Sequence, residues 1–461
     1  MPILVIILAV AASIAAGFLS VTAQPGLVFL SASVILVSLL AFLSPKMSVV
    51  LLVFSMLLSP EIGFGAVSSS RSAVLRYDDI LLVVIFFSWF ARTAIFKDKA
   101  FITATPVQVP VLLYTVIAVV STGLAIIRGE IRAEIAGFYV LKYVEYFFLY
   151  FMLVNIIDSR EEMKKYLKYA GFVAFIVTLY AYYYYLNSGA SARASAPFEA
   201  PLGNAKDSEP ASLGGYYLLV FGFVMALMTE VPGPMQLLLA GSMVFMFPAF
   251  LLTFSRSSYL GFAVMVPVMV FLSRRRKAFL TFFLCAGVVA VALTPGLSDK
   301  VRERITTTYQ GSEAVNTVQL GAAGQVKLED SAAARVGSIN RAIFDRLPVH
   351  PILGWGVTGI GIGDTQYALV LGEMGLAGFF TFLWMLYSIF STARKVYRAY
   401  EEPWIKAVSL GLMASIAGLV FQAVGVNNFI IVRIMEPFWF LTAIVMALYR
   451  GAGQEAKPGT V

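Results

Sequence analysis

Apolar runs of membrane length follow one another along almost the whole chain. A transmembrane helix needs about 20 predominantly apolar residues. On that rule spans fall near residues 3–20, 26–43, 46–59, 79–96, 108–127, 136–157, 166–186, 212–229, 235–253, 258–273, 278–294, 366–391, 405–423 and 429–448. The segment 46–59 is short, so it reads either as a span or as a re-entrant helix. The pattern breaks once, at the hydrophilic interval 295–365 between the eleventh and twelfth spans. At about 70 residues it is far longer than an ordinary connection, and loops of that length tend to be functional or disordered. The expected fold is all-α: a polytopic transmembrane helical bundle of about fourteen spans, one integral membrane domain over 1–461, with one long, partly helical loop.

Composition agrees with that class. The 461 residues are 59% hydrophobic and 13% charged, with a mean hydropathy of +0.84, which describes a chain solvated mainly by lipid. The first segment, MPILVIILAVAASIAAGFL, lacks a basic leader and is followed by many more spans, so it reads as an uncleaved helix. The one cysteine, Cys285, can form no disulfide within the chain and says nothing about redox compartment.

Charge gives the orientation. The groups Arg92/Lys97/Lys99, Arg160/Lys164/Lys165/Lys168, Arg274/Arg275/Arg276/Lys277 and Arg394/Lys395/Arg398/Lys406 fall on one side of the alternating spans. By the positive-inside bias that side is the cytoplasm, and both termini share it. The loops at 60–78, 128–135, 187–211 and 254–257, and the long loop itself, then face outward. Outside the cytoplasmic loops the basic residues are mostly arginine, among them Arg71, Arg76, Arg128, Arg132, Arg193, Arg256, Arg335, Arg341, Arg346 and Arg433. Arginine presents a fixed fork of donors suited to phosphate or carboxylate, whereas lysine acts as a hydrated point charge. Many of these arginines have acids nearby to pair with, such as Asp78, Asp79, Glu130 and Glu134. For Arg256, Arg335 and Arg341 an anionic ligand is the favoured reading. Arg256 lies between two apolar runs, where an ionisable residue marks function by default. Arg335 and Arg341 lie in SAAARVGSINRAIFDRLP, which reads as a short helix capped by Ser331. Six residues separate them, which sets them some 120° apart on the helix surface.

TFSRSSYLGF, then HPILGWG, then DTQYALVLGEMGLAGFF resembles the O-antigen ligase and O-antigen or exopolysaccharide polymerase family of bacterial membrane glycosyltransferases. The family pattern has Arg and then, after three residues, Leu at a membrane boundary, matched by Arg256 and Leu260. It has a His-Pro turn with two glycines, matched by His350, Pro351, Gly354 and Gly356. It also has a reactive residue, a small polar residue and a later Gly-x-x-Gly, matched by Asp364, Thr365, Gly375 and Gly378. Ligases of the family usually carry His where Asp364 stands, so the resemblance tilts toward a polymerase.

That resemblance implies a GT-C-like bundle in the bacterial inner membrane and an active site on the periplasmic side. The donor would be an oligosaccharide linked through a diphosphate to undecaprenol, and the acceptor a second glycan. Besides the lipid bilayer, chain-length regulator and flippase proteins are implied partners. No nucleic acid, metal or cofactor is expected: no acidic pair has His or Cys at ligand spacing, and there is no phosphate-cradling loop. Catalytic roles would fall to Asp364 as base and to Arg256 and Arg335 as cations for the departing diphosphate, with Arg341, His350, Tyr367, Lys142 and Arg193 contacting substrate. Asp364 also reads as a plain helix N-cap, and His350 as a residue that shapes its turn. Lys142 stands three residues from Glu145 and reads equally as its neutralising partner. Gly375 and Gly378 are expected to let helices approach closely, and the tyrosines of TLYAYYYYLNSG form either an interfacial belt or a surface for sugar rings. Against a secondary transporter stands the absence of two repeated halves. A non-catalytic scaffold of an export complex would not need the outward arginines.

Overall fold

The computed structural model describes residues 25–68, 71–97, 103–189, 192–199, 209–231, 233–277, 280–281, 284–285, 316–319, 325–328, 330–361 and 365–455. The expected span 3–20, most of 278–294 and Asp364 lie outside these residues. Within them the chain forms α1 (Pro25–Leu43), α2 (Pro45–Leu58), α3 (Tyr77–Phe96), α4 (Gln108–Ile127), α5 (Ala133–Ile156), α6 (Arg160–Asn187), α7 (Pro210–Glu230), α8 (Pro234–Leu251) and α9 (Arg256–Leu272). Then come α10 (Asp330–Asn340), a π-helical turn (Arg341–Arg346), α11 (Gln366–Ala399), α12 (Pro403–Gln422), a 3-10 turn (Asn428–Ile430) and α13 (Val432–Glu455). Among the described residues, nine helices are long and apolar enough to cross a membrane, with shorter apolar helices besides.

Local chemistry sets many of the starts. Proline opens α2, α7, α8 and α12, where its missing N–H would have had no partner and its fixed φ already suits the helix. Side chains of Ser159, Ser255 and Thr365 cap α6, α9 and α11 by accepting from backbone N–H groups three residues on. The centre of the bundle is α7, α12 and α13, whose apolar faces are buried almost all round. Helices α7 and α12 meet at glycine: a Cβ on Gly411 would lie 2.9 Å from the Gly222 carbonyl oxygen. Such close approach supplies dispersion contact that lipid-facing apolar surface alone cannot drive.

The basic ends of the helices are tied together. Arg160 pairs with Glu402, while Arg275 and Lys406 pair with Glu401 at 3.2 and 2.8 Å. At the start of α3 a different group is buried. Arg76 bonds Asp78 (2.6 Å) and the Met56 carbonyl (2.6 Å), Lys142 bonds Asp79 and lies 3.5 Å from Glu145, and Glu436 of α13 adjoins them.

Two short hairpins accompany the helical bundle: Glu61–Ser68 pairs antiparallel with Arg71–Arg76, and Asn316–Gln319 with Gln325–Leu328. Two expectations are corrected. Helix α10 begins at Asp330, so Ser331 lies inside its first turn rather than before it. Beyond Asn340 the helix widens to π over Arg341–Arg346. Gly375 is not a helix-packing contact: its φ of 60° and ψ of −160° interrupt α11. The chain at 351–356 fills this break. Trp355 and Gly356 N–H groups donate to the carbonyls of Gly372 and Glu373 (2.9 Å each), and Leu376 and Ala377 donate to those of Pro351 (2.9 Å) and Ile352 (3.1 Å). Only glycine tolerates this conformation at no cost. A Cβ on Gly375 would also come within 2.5 Å of the Ile352 backbone.

Candidate anion-binding site

The site begins with a reversal of direction after α8. Thr253 and Phe254 turn the chain, Phe254 in the left-handed region (φ 46°), and Ser255 caps α9 so that Arg256 is its first helical residue. The segment 192–199 lies along this turn, with Ala194 N–H donating to the Leu252 carbonyl (2.8 Å). Arg193 closes over the turn, its Nε donating to the Thr253 carbonyl (3.0 Å) and its Nη2 to that of Phe254 (3.1 Å). The same segment is clamped from below. Glu199 accepts from Ser195 Oγ and Ser212 Oγ at 2.6 Å, while the buried Arg433 lies 3.4 Å from it and donates to the Pro197 carbonyl (3.0 Å). From the long loop comes Arg335 of α10, whose Nε donates to the Gly425 carbonyl (2.7 Å).

These pieces enclose one cavity of about 170 Å³, lined by Arg193, Glu209, Arg256 and Arg335 together with Ser255, Ser257, the chain at 425–427 and the start of α7. The N-terminal ends of α7 and α9 both open on it, so two helix dipoles present their positive ends where the guanidinium groups converge. Among the described residues one carboxylate, Glu209, lines it together with three arginines. Two of the arginines, Arg193 and Arg335, are oriented by backbone carbonyls. The arrangement suits a small polyanion.

Three of the residues nominated from sequence, Arg193, Arg256 and Arg335, therefore come together; Arg341, Tyr367, Lys142 and His350 do not line the cavity, and Asp364 lies outside the described residues. Arg341 is exposed on the π turn, away from the cavity lining. Tyr367 donates its hydroxyl to the Val420 carbonyl (2.6 Å) and packs against Phe379. Lys142 is engaged with Asp79 and Glu145 in the cluster at α3. His350 contacts Glu130 at 3.1 Å and packs edge-on against Trp355, whose other neighbour is the Arg346 guanidinium. Burial pushes the Glu130 carboxyl up, but hydrogen bonds from Arg128 and His350 outweigh it and hold the group below the usual carboxylate range. His350 thus belongs to a clasp that fastens 346–355 to the loop after α4. Glu373, 2% exposed, accepts from Tyr143 (2.9 Å) and from Thr358 N–H (2.7 Å), fixing the same loop from within.

Sequence reasoning missed Glu209 and Asn427. The first stands immediately before the proline that opens α7, and the second in VNN between two apolar runs. A polar residue at a span boundary is the only signal either one gives. No family model and no curated protein sequence matches this chain.

Proposed function

We propose that the protein is a metal-independent glycosyltransferase that joins polyprenyl-diphosphate-linked oligosaccharide repeat units during synthesis of a surface or secreted polysaccharide. The observation that carries this reading is the convergence of Arg193, Arg256 and Arg335, from three separated parts of the chain, on one cavity beside two helix N-termini. In the reaction the acceptor hydroxyl oxygen bonds the donor's anomeric carbon while that carbon's bond to the diphosphate breaks. The diphosphate leaves with the electron pair. Charge grows on its oxygens, and preorganised cations stabilise it most where it develops. The hydroxyl proton passes to a carboxylate, Asp364 in this reading, since His350 is committed to Glu130 and lies off the cavity. The proposal includes the finer topology: fourteen spans in a GT-C-like bundle in a bacterial inner membrane, both termini cytoplasmic and the cavity periplasmic. Chain-length regulators and flippases would be its partners there.

The test is direct. Purified protein given lipid-linked repeat units is expected to form ladders of lengthening product in the presence of a chelator and without nucleotide sugar, and Arg256→Ala and Asp364→Ala to form none. Ladders of normal length from both variants would sink the assignment. Transfer to a lipid A core instead of a second repeat unit would reassign the enzyme as a ligase.

A further inference from the structure

The π turn and the chain after it carry large apolar side chains on their surface. Ile343, Phe344, Val349 and Ile352 are between 39% and 68% exposed. Single apolar residues on a surface need no explanation, but several in one short stretch mark a surface that meets something apolar. Arg341 and Asp345 stand exposed among them, so the stretch is amphipathic.

Its place against α11 says what it meets. Leu376, Phe380, Leu383, Trp384 and Tyr387 are the exposed large apolar residues of α11, and their spacing puts them on a single helical face. This stripe begins directly after the break at Gly375, and the helix ahead of the break, 366–375, has no exposed residue. About 20 residues cross the apolar part of a bilayer. Counting back that far from Arg394 and Lys395 also arrives at Gly375. Two independent features therefore put a bilayer boundary at the break. The chain at 351–356 is bonded there, with the Ile352 carbonyl accepting from Ala377 N–H (3.1 Å), and the π turn packs against the same helix. Trp355 N–H donates to the Gly372 carbonyl (2.9 Å) and its indole to the Arg346 carbonyl (2.9 Å), which sets an amphipathic ring at the level such rings favour. Ile352 is thus joined to the head of the lipid-facing stripe.

We propose that 343–352 docks into the bilayer. Its apolar side chains enter the acyl layer of the leaflet opposite the basic ends of the helices, while Arg341 and Asp345 stay among the headgroups, as in interfacial amphipathic segments. The occupant of this surface is lipid. Part of an interval that is hydrophilic overall is then a membrane anchor. It follows directly on the helix that carries Arg335, so it holds that cation at the membrane boundary, whatever anion the cavity takes.

The experiment uses full-length protein in nanodiscs of phosphatidylcholine and phosphatidylglycerol, with the exposed Cys285 replaced by serine. Spin labels are attached singly at Phe344→Cys, Val349→Cys and Ile352→Cys, with Phe380→Cys as the lipid reference and the exposed Glu134→Cys as the water reference. Power saturation compares collisions with oxygen, which concentrates in the acyl layer, and with a nickel chelate, which stays in water. The three labels are expected to match Phe380→Cys, with a ratio of oxygen to chelate collisions several-fold above that of Glu134→Cys, and a label at Arg341→Cys to fall toward the water reference. Chelate access equal to that of Glu134→Cys at all three positions overturns the proposal. Low access to both reagents also overturns it, because protein then covers the surface, and dipolar broadening in that case identifies a second copy of the chain. Thermal unfolding is recorded for each variant, and the three positions are read separately, so one that fails to fold does not decide the outcome.

Discussion

The start of α3 and the start of α9 each gather charge, and they do so on different plans. At α3, Arg76 and Lys142 are in contact with the buried Asp78, Asp79 and Glu145, and the buried Glu436 adjoins them. At α9, Arg193, Arg256 and Arg335, each partly exposed, line a void with Glu209 as the one acid of the lining among the described residues, and two of the three donate to backbone carbonyls. Cations grouped around an open space are better placed to meet a ligand than cations packed among buried carboxylates. This also explains why Lys142, plausible from sequence, is a poor candidate in the fold.

The comparison can be broken at several points. The largest expected effect is on folding: Arg76→Ala leaves Asp78 buried without its cation and should destabilise the protein by about 3–5 kcal/mol, measured by denaturant unfolding in detergent. A stable Arg76→Ala protein would mean that the cluster is not mutually compensated. Next is Arg256→Ala, expected to lower turnover by about 10²–10³-fold while the unfolding midpoint barely moves; a loss of stability in place of activity would make the cavity structural. Gly375→Ala should cost about 1–3 kcal/mol from the backbone conformation alone, and more from the clash with Ile352, and limited proteolysis should then cut within 351–361. The smallest effect is on pH. Because Glu130 is held below the ordinary carboxylate range, its contribution to stability is present above that range and is lost as pH falls through its lowered value. The wild-type midpoint should therefore drop more on acidification than that of Glu130→Gln, and parallel curves for the two would remove the clasp from the account.

The helices were legible because their signal is local. Twelve of the fourteen expected spans correspond to helices in the described residues, with ends displaced by a few positions. The interruption of α11 was not, since Gly375 in LGEMGLAGFF reads as one more small residue in an apolar run. What breaks the helix is the backbone at 351–356, and that contact is tertiary. The hairpin at Glu61–Ser68 and Arg71–Arg76 escaped notice in a chain dominated by the helical period. Of the site, the arginines could be found from their type and their place between apolar runs. That Arg193 and Arg256 share a cavity with Arg335 depends on a turn after α8, which has no sequence period.

The filled break in α11 has a mechanical consequence. Four backbone hydrogen bonds join 351–356 to the two sides of the interruption, and they would be loaded in parallel when the loop is pulled sideways. A force on the long loop is then shared among them and passed into a helix that continues to Ala399 at the basic end. The joint acts as a splice rather than a hinge: tension applied to 330–350, where Arg335 enters the cavity, reaches the far side of the bundle through a continuous path of bonded backbone.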